Sequence, residues 1–200
     1  MEKFTIHAGT VALLDRDNVD TDQIIPKQFL KRIERTGYGD CLFFDWRFDS
    51  KGKQTPEFSL NLPQYAGATI LLTGKNFGCG SSREHAVWAL RDYGFRCIIA
   101  QSFADIFANN SVKNGILTIT VRPSEMIRLK ERDAAGRFRL TIDLEKCEIT
   151  GCGGYQSHFE IDPFRRTCLL EGLDEIGTTL KKEREIAAHE QRRKVVHQLR

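Results

Sequence analysis

Three stretches of the chain are apolar with little interruption: residues 68–73, 97–100 and 116–121. The first, Ala68–Thr73, is a continuous run, as expected of a strand buried on both faces of a sheet, and the other two read as the next strands. Between them lie segments of helical length, one from about Ser82 to Tyr93 with Gly94 placed to end it, and one over residues 103–112. Strands alternating with helices at this spacing predict βαβ units and a parallel sheet. Upstream, residues 4–8 and 10–14 read as a strand pair broken at Gly9, followed by a polar turn over 15–22 and a short helix over 27–36. Downstream, residues 137–143, 147–150 and 158–161 read as short antiparallel strands. Pro163–Glu171 reads as a helix ended by Gly172, and from Thr178 the chain reads as a charged helix with few apolar positions. Residues 38–65 follow no period and hold an aromatic cluster of Phe43, Phe44, Trp46 and Phe48. An irregular segment of that length predicts a functional or mobile loop.

Composition narrows this picture. At 200 residues the chain is long enough to bury a core without disulfides or metal, and 40% hydrophobic with 28% charged residues excludes wholesale disorder. No apolar run approaches the roughly 20 residues that span a bilayer, and the first residues have no secretory pattern. The net charge of +3 is confined to the tail: residues 181–200 hold seven Lys/Arg against three acids, leaving −1 for residues 1–180. A nucleic-acid footprint would spread over a face of the fold, so that role is not expected. The six cysteines, at 41, 79, 97, 147, 152 and 168, form no C-x-x-C pair. They read as reduced packing thiols of a cytoplasmic protein, with no metal site on this chain.

The densest chemistry lies in Gly74-Lys-Asn-Phe-Gly-Cys-Gly-Ser-Ser-Arg-Glu-His-Ala86. A strand ends, glycines turn the backbone, and a helix begins whose N-terminus favours anions. Ser81-Ser-Arg-Glu84 has capping-box spacing, with Ser81 as N-cap. Arg83 stands where a dinucleotide fingerprint needs glycine, G-K-[ST] is absent, and Gly80 takes the place of a nucleophile-elbow serine. One reading is an ordinary capped helix with Arg83 in solvent. The other is a carboxylate site, since two hydroxyls and a bidentate guanidinium converge.

The segment Gly78-Cys-Gly-Ser-Ser-Arg-Glu-His-Ala86 resembles the signature of the swivelling domain of the aconitase superfamily. Asn18-Val-Asp-Thr-Asp-Gln-Ile-Ile-Pro26 and the block from Ser102 to Gly115 are similar, in the same order, to motifs of 3-isopropylmalate dehydratase small subunits, and Cys41–Arg47 resembles a segment of the bacterial form. The resemblance runs over about residues 4–180. It implies an α/β fold of the β/β/α swivelling type, with a mixed sheet flanked by helices. Residues 1–175 would form that domain, with a substrate loop at 29–65, and residues 176–200 a charged helical tail. It further implies that this chain binds no cofactor, and that a separate large subunit carries a [4Fe–4S] cluster and closes over the site. The substrate would be a small dicarboxylic hydroxy acid, 2-isopropylmalate, isomerised by dehydration and rehydration in leucine biosynthesis.

By the same resemblance Ser81 is the catalytic base, and Ser82 and Arg83 bind substrate. Lys31, Arg32 and Arg35 fall where the second carboxylate would be held, or else form a solvated basic face. Asp22, Gly78, Cys79, Gly80 and His85 are supporting residues, with Asp22 either near the chemistry or simply part of a turn, and His85 a packing residue. Cys79 is expected to be sensitive to oxidation by its position in the loop. Related hydro-lyases acting on citraconate/2-methylmalate or homoaconitate, and a binding module that uses the basic tail, are the alternatives.

Overall fold

The computed structural model describes residues 1–31, 36–134 and 138–198, the last five of these by backbone alone. The chain opens with β1 (Ile6–Leu14), the short turns α1 (Thr21–Ile24) and α2 (Phe44–Arg47), then β2 (Ile70–Thr73) and α3 (Glu84–Tyr93). It continues through β3 (Cys97–Ala100), α4 (Asp105–Lys113), β4 (Leu117–Thr120) and α5 (Pro123–Ala134) to the hairpin strands β5 (Arg139–Asp143), β6 (Glu148–Gly151) and β7 (Tyr155–His158). The helices α6 (Pro163–Glu171), α7 (Glu175–Leu180) and α8 (Glu183–Gln198) finish it. The strands form one mixed sheet in the order β4-β3-β2-β1-β5-β6-β7. Neighbours from β4 to β1 are parallel, and those from β1 to β7 antiparallel.

β1 joins the two halves of the sheet. Its first part pairs antiparallel with β5 and its last four residues pair parallel with β2, so one nine-residue strand replaces the expected broken pair. Gly9 is not a break. A Cβ there would stand 2.0 Å from Thr69 Oγ1, so glycine lets the β2 lead-in approach closely. Alternation along the parallel strands loads two cores. Ala12, Leu14, Leu71, Ile98 and Ala100 face α3, Phe107 of α4 and the 38–65 segment. Val11, Ile70, Leu72, Ile99, Leu117 and Ile119 face Met126 and Leu129 of α5 and Leu169 of α6. β2 and β3 are buried on both faces, whereas β4 at the sheet edge leaves Thr120 exposed.

Several expectations are corrected. Only Lys27–Phe29 of the expected 27–36 helix is helical, as a single 3₁₀ turn among the described residues. The segment 38–65 is irregular but packed: Tyr38, Leu42, Phe43, Phe58, Leu60 and Tyr65 are buried. Arg47, 9% exposed, braces it from within by donating to the carbonyls of Gly39 and Leu42 at 3.3 Å each. α5 was not foreseen; Met126, Leu129 and Asp133 are its buried face. β7 begins three residues early because Gly153 and Gly154, both at positive φ, close a tight hairpin onto Gly151. Residues 181–193 of the tail are exposed throughout. Among the described residues no helix is long and apolar enough to cross a membrane.

Candidate active site

The loops after β1, β2 and β3 stack side by side at the C-terminal ends of the parallel strands, where open α/β sheets commonly bind ligands. Asn18 N donates to the Lys75 carbonyl at 2.8 Å, Gly78 N to Val19 at 2.8 Å and Thr21 N to Cys79 at 3.0 Å. On the other flank Phe77 N donates to Ser102 at 3.1 Å and Ala104 N to Phe77 at 3.0 Å. The three motif segments therefore meet in space, with residues 74–83 in the middle.

Gly78 and Gly80 bend this central loop through left-handed conformations, φ +76° and +85°. Gly78 is buried directly against Phe107, while Gly80 is exposed. The loop delivers Ser81 and Ser82 to an exposed position on the open edge. Ser81 is not the helix cap. α3 starts at Glu84 with Arg83 in extended conformation as N-cap and no side-chain cap bond. The expected box fails because the helix starts two residues later than that spacing requires, and the Glu84 carboxylate accepts from Asn114 Nδ2 at 2.8 Å; separately, the Ser81 carbonyl accepts from Thr21 Oγ1 at 2.6 Å. A reciprocal capping box forms instead at Asp20 and Gln23, at the start of α1.

Arg83 is not solvated. Its side chain is 14% exposed and its Nη1 donates to Asp22 Oδ1. Among the described residues its Nε and Nη2 make no hydrogen bond, leaving a donor edge that fits a second carboxylate. Asp22 Oδ2 also lies 3.8 Å from Lys27 Nζ. Asp22 thus takes part in the arginine's charge environment as well as in its turn. Thr21 reads from sequence only as part of the 20–22 turn, and Lys27 carries no signal beyond standing one residue past the Asn18–Pro26 motif.

The other candidates divide. Lys31 is exposed beyond the 3₁₀ turn, and Arg32 and Arg35 lie outside the described residues. His85 packs against Trp88 and Tyr38, with ring centroids at 4.6 and 5.5 Å, as a packing residue. Cys79 is half-buried, and burial, then the charge of Asp20, push its thiol up from the ordinary value. A raised thiol and an accessible loop position act in opposite directions on its sensitivity to oxidation. Asn114 caps the end of α4 and receives Trp88 Nε1 at 3.1 Å. Among the described residues no three His, Cys, Asp or Glu side chains gather as a metal site.

This architecture and loop have counterparts. The aconitase C-terminal domain family matches residues 1–124, so sheet and site together define a domain of that type. Over nearly its whole length the chain is 57% identical to a 3-isopropylmalate dehydratase small subunit of Rhodopirellula baltica, covering 96% of this chain and 100% of the relative. It is 54% identical to one of Halalkalibacterium halodurans, covering 95% and 98%. The crystal structure of 3-isopropylmalate dehydratase from Methanocaldococcus jannaschii superposes with a TM-score of 0.64 at 28% identity, over 92% of this chain and 99% of that one. The chain belongs to the family of 3-isopropylmalate dehydratase small subunits.

Proposed function

We propose that this chain works with a large subunit as a hydro-lyase that interconverts 2-isopropylmalate and 3-isopropylmalate through isopropylmaleate, in leucine biosynthesis. Each direction removes a carbon-bound proton and a hydroxide to form the alkene, then returns them to the opposite carbons. The observation that carries the reading is the meeting, on one open edge, of exposed Ser81 with the Arg83–Asp22–Lys27 charge group.

In this reading Arg83 offers its unused donor edge to a substrate carboxylate, oriented by the bond to Asp22. Ser82 adds a hydrogen bond from the same loop. Ser81 takes and returns the carbon-bound proton. A serine hydroxyl is a poor base, so its alkoxide needs positive potential nearby, and the excess cation of the Arg83–Asp22–Lys27 group supplies it. Ser81 stands three residues before the first turn of α3, so the helix dipole contributes less than the charged side chains. The Lewis acid for hydroxide departure and the walls that exclude water are assigned to the large subunit. Six free cysteines accord with a cytoplasmic setting.

The test is co-expression with the cognate large subunit and anaerobic assay on 2-isopropylmalate, 2-methylmalate and homoaconitate. Preference for 2-isopropylmalate, with Ser81→Ala lowering turnover by roughly 10³-fold or more while assembly persists, supports the reading. Near wild-type turnover by Ser81→Ala sinks the role given to Ser81, and preference for another acid sinks the substrate assignment.

A further inference from the structure

We infer that Thr21 is the positioning residue for Ser81, holding its peptide from behind while the adjacent Asp22 holds Arg83. The inference rests on the reading of Ser81 as the proton-transfer group. Thr21 is 2% exposed and is the first residue of α1, a four-residue turn locked at its start by the reciprocal Asp20–Gln23 hydrogen bonds of 2.7 and 2.9 Å. Its backbone N–H donates to the Cys79 carbonyl at 3.0 Å and its hydroxyl to the Ser81 carbonyl at 2.6 Å. Those two carbonyls bracket Gly80, whose φ of +85° is a left-handed conformation that favours glycine.

Among the described residues the bond from Thr21 Oγ1 is the one hydrogen bond Ser81 makes. Ser81 is exposed, and the carbonyl of its peptide is anchored by Thr21, which fixes where the backbone presents the side chain. One dipeptide, Thr21-Asp22, therefore fixes both members of the site across about sixty residues of sequence: the proton-transfer group through its backbone, and the carboxylate-binding group through its charge. A buried donor that holds both sides of a glycine turn is an arrangement that preorganises a reacting group. Misplacing such a group by about 1 Å costs on the order of 100-fold in rate.

Thr21→Val keeps the shape and removes the donor, and Thr21→Ser keeps the donor and removes the methyl. Both are assayed on 2-isopropylmalate in the assembled two-subunit enzyme beside Ser81→Ala, with kcat normalised to assembled complex. The expected result for Thr21→Val is a kcat lowered about 10- to 100-fold with KM within about threefold, since the residue orients the reacting group rather than binding substrate. Thr21→Ser should keep at least about a third of wild-type kcat, because the hydroxyl carries the effect. Wild-type kcat for Thr21→Val with an inactive Ser81→Ala overturns the inference and leaves the functional reading standing. Equal losses in the Val and Ser variants, or failure of Thr21→Val to assemble, also overturn it by making Thr21 a packing residue. An active Ser81→Ala fails the underlying reading instead.

Discussion

Gly78→Ala is the sharpest probe of how the active loop is built. Gly78 has φ +76°, and a Cβ there would stand 2.2 Å from Phe107 Cγ and 2.6 Å from its Cβ. Phe107 is buried, with its ring edge-on to Phe77 at 5.3 Å and stacked on Phe103 at 6.4 Å, so it has little room to retreat. A left-handed backbone costs alanine about 1–2 kcal/mol, and forcing a methyl into a packed site about 1–3 kcal/mol more. The sum is about 2–5 kcal/mol, which for a chain of this length lowers the thermal midpoint by about 4–20 °C.

Gly154→Ala separates the two contributions. Gly154 has φ +69° with nothing within 4 Å of a built Cβ, so alanine there pays the backbone cost alone, about 1–2 kcal/mol. Urea unfolding of both variants, at unchanged slope, gives the steric share by difference. The double variant Gly78→Ala/Phe107→Leu should recover part of that share through coupling between contacting residues. If the two alanine variants differ by less than about 0.5 kcal/mol, Phe107 moves aside freely and the rigid floor assigned to the loop does not exist.

Arg83→Lys should lower kcat/KM at least about tenfold in the two-subunit enzyme, because a point charge cannot serve Asp22 and a substrate carboxylate as a planar fork does; an unchanged value refutes the carboxylate role. Asp133, 5% exposed, accepts from Tyr65 Oη at 2.5 Å, its Oδ1 finds no partner among the described residues, and burial raises its carboxyl above the ordinary value. A raised acid stabilises the fold when protonated and loses that contribution as pH rises through its folded value, so Asp133→Asn should melt above wild type at pH 7, with the gain vanishing below about pH 4; a gain independent of pH refutes it. Deleting residues 181–200 should leave the thermal midpoint within about 2 °C, because the tail is exposed through residue 193 and its Lys181–Glu171 ion pair lies at the surface. A larger loss makes the tail part of the fold, and loss of nucleic-acid retention with activity intact would support the binding-module alternative.

What the sequence disclosed and what it hid follow one division. Double-sided burial writes itself as an unbroken apolar run, so Cys97–Ala100 was read to the residue and β2 and β4 to within two. Pro163 and Gly172 bracket α6 as punctuation predicts. Gly9 looked like a break because its reason, the approach of Thr69 sixty residues away, is tertiary. α5 was missed because its buried face is two apolar side chains and an aspartate within a charged segment. The Ser81–Glu84 spacing reads locally as a box, but α3 starts only at Glu84 and the Glu84 carboxylate is taken by Asn114, thirty residues away.

The same competition explains the site. A capped Ser81 would have spent its hydroxyl on the backbone of α3. Because Arg83 is the cap residue, Ser81 lies outside the helix in an exposed position, its side chain not used as the cap of α3. Asp22 likewise draws Arg83 out of solvent without consuming its whole donor set, and Lys27 offsets the carboxylate charge that would otherwise cancel the arginine. A loop whose groups are held from behind and left unsatisfied in front is arranged for a ligand and for a second surface to enclose it. On the proposed reading this chain supplies oriented groups on an edge exposed to water, and proton removal from carbon by Ser81 would need that water excluded. The incomplete half of the site is therefore the physical argument for the large subunit.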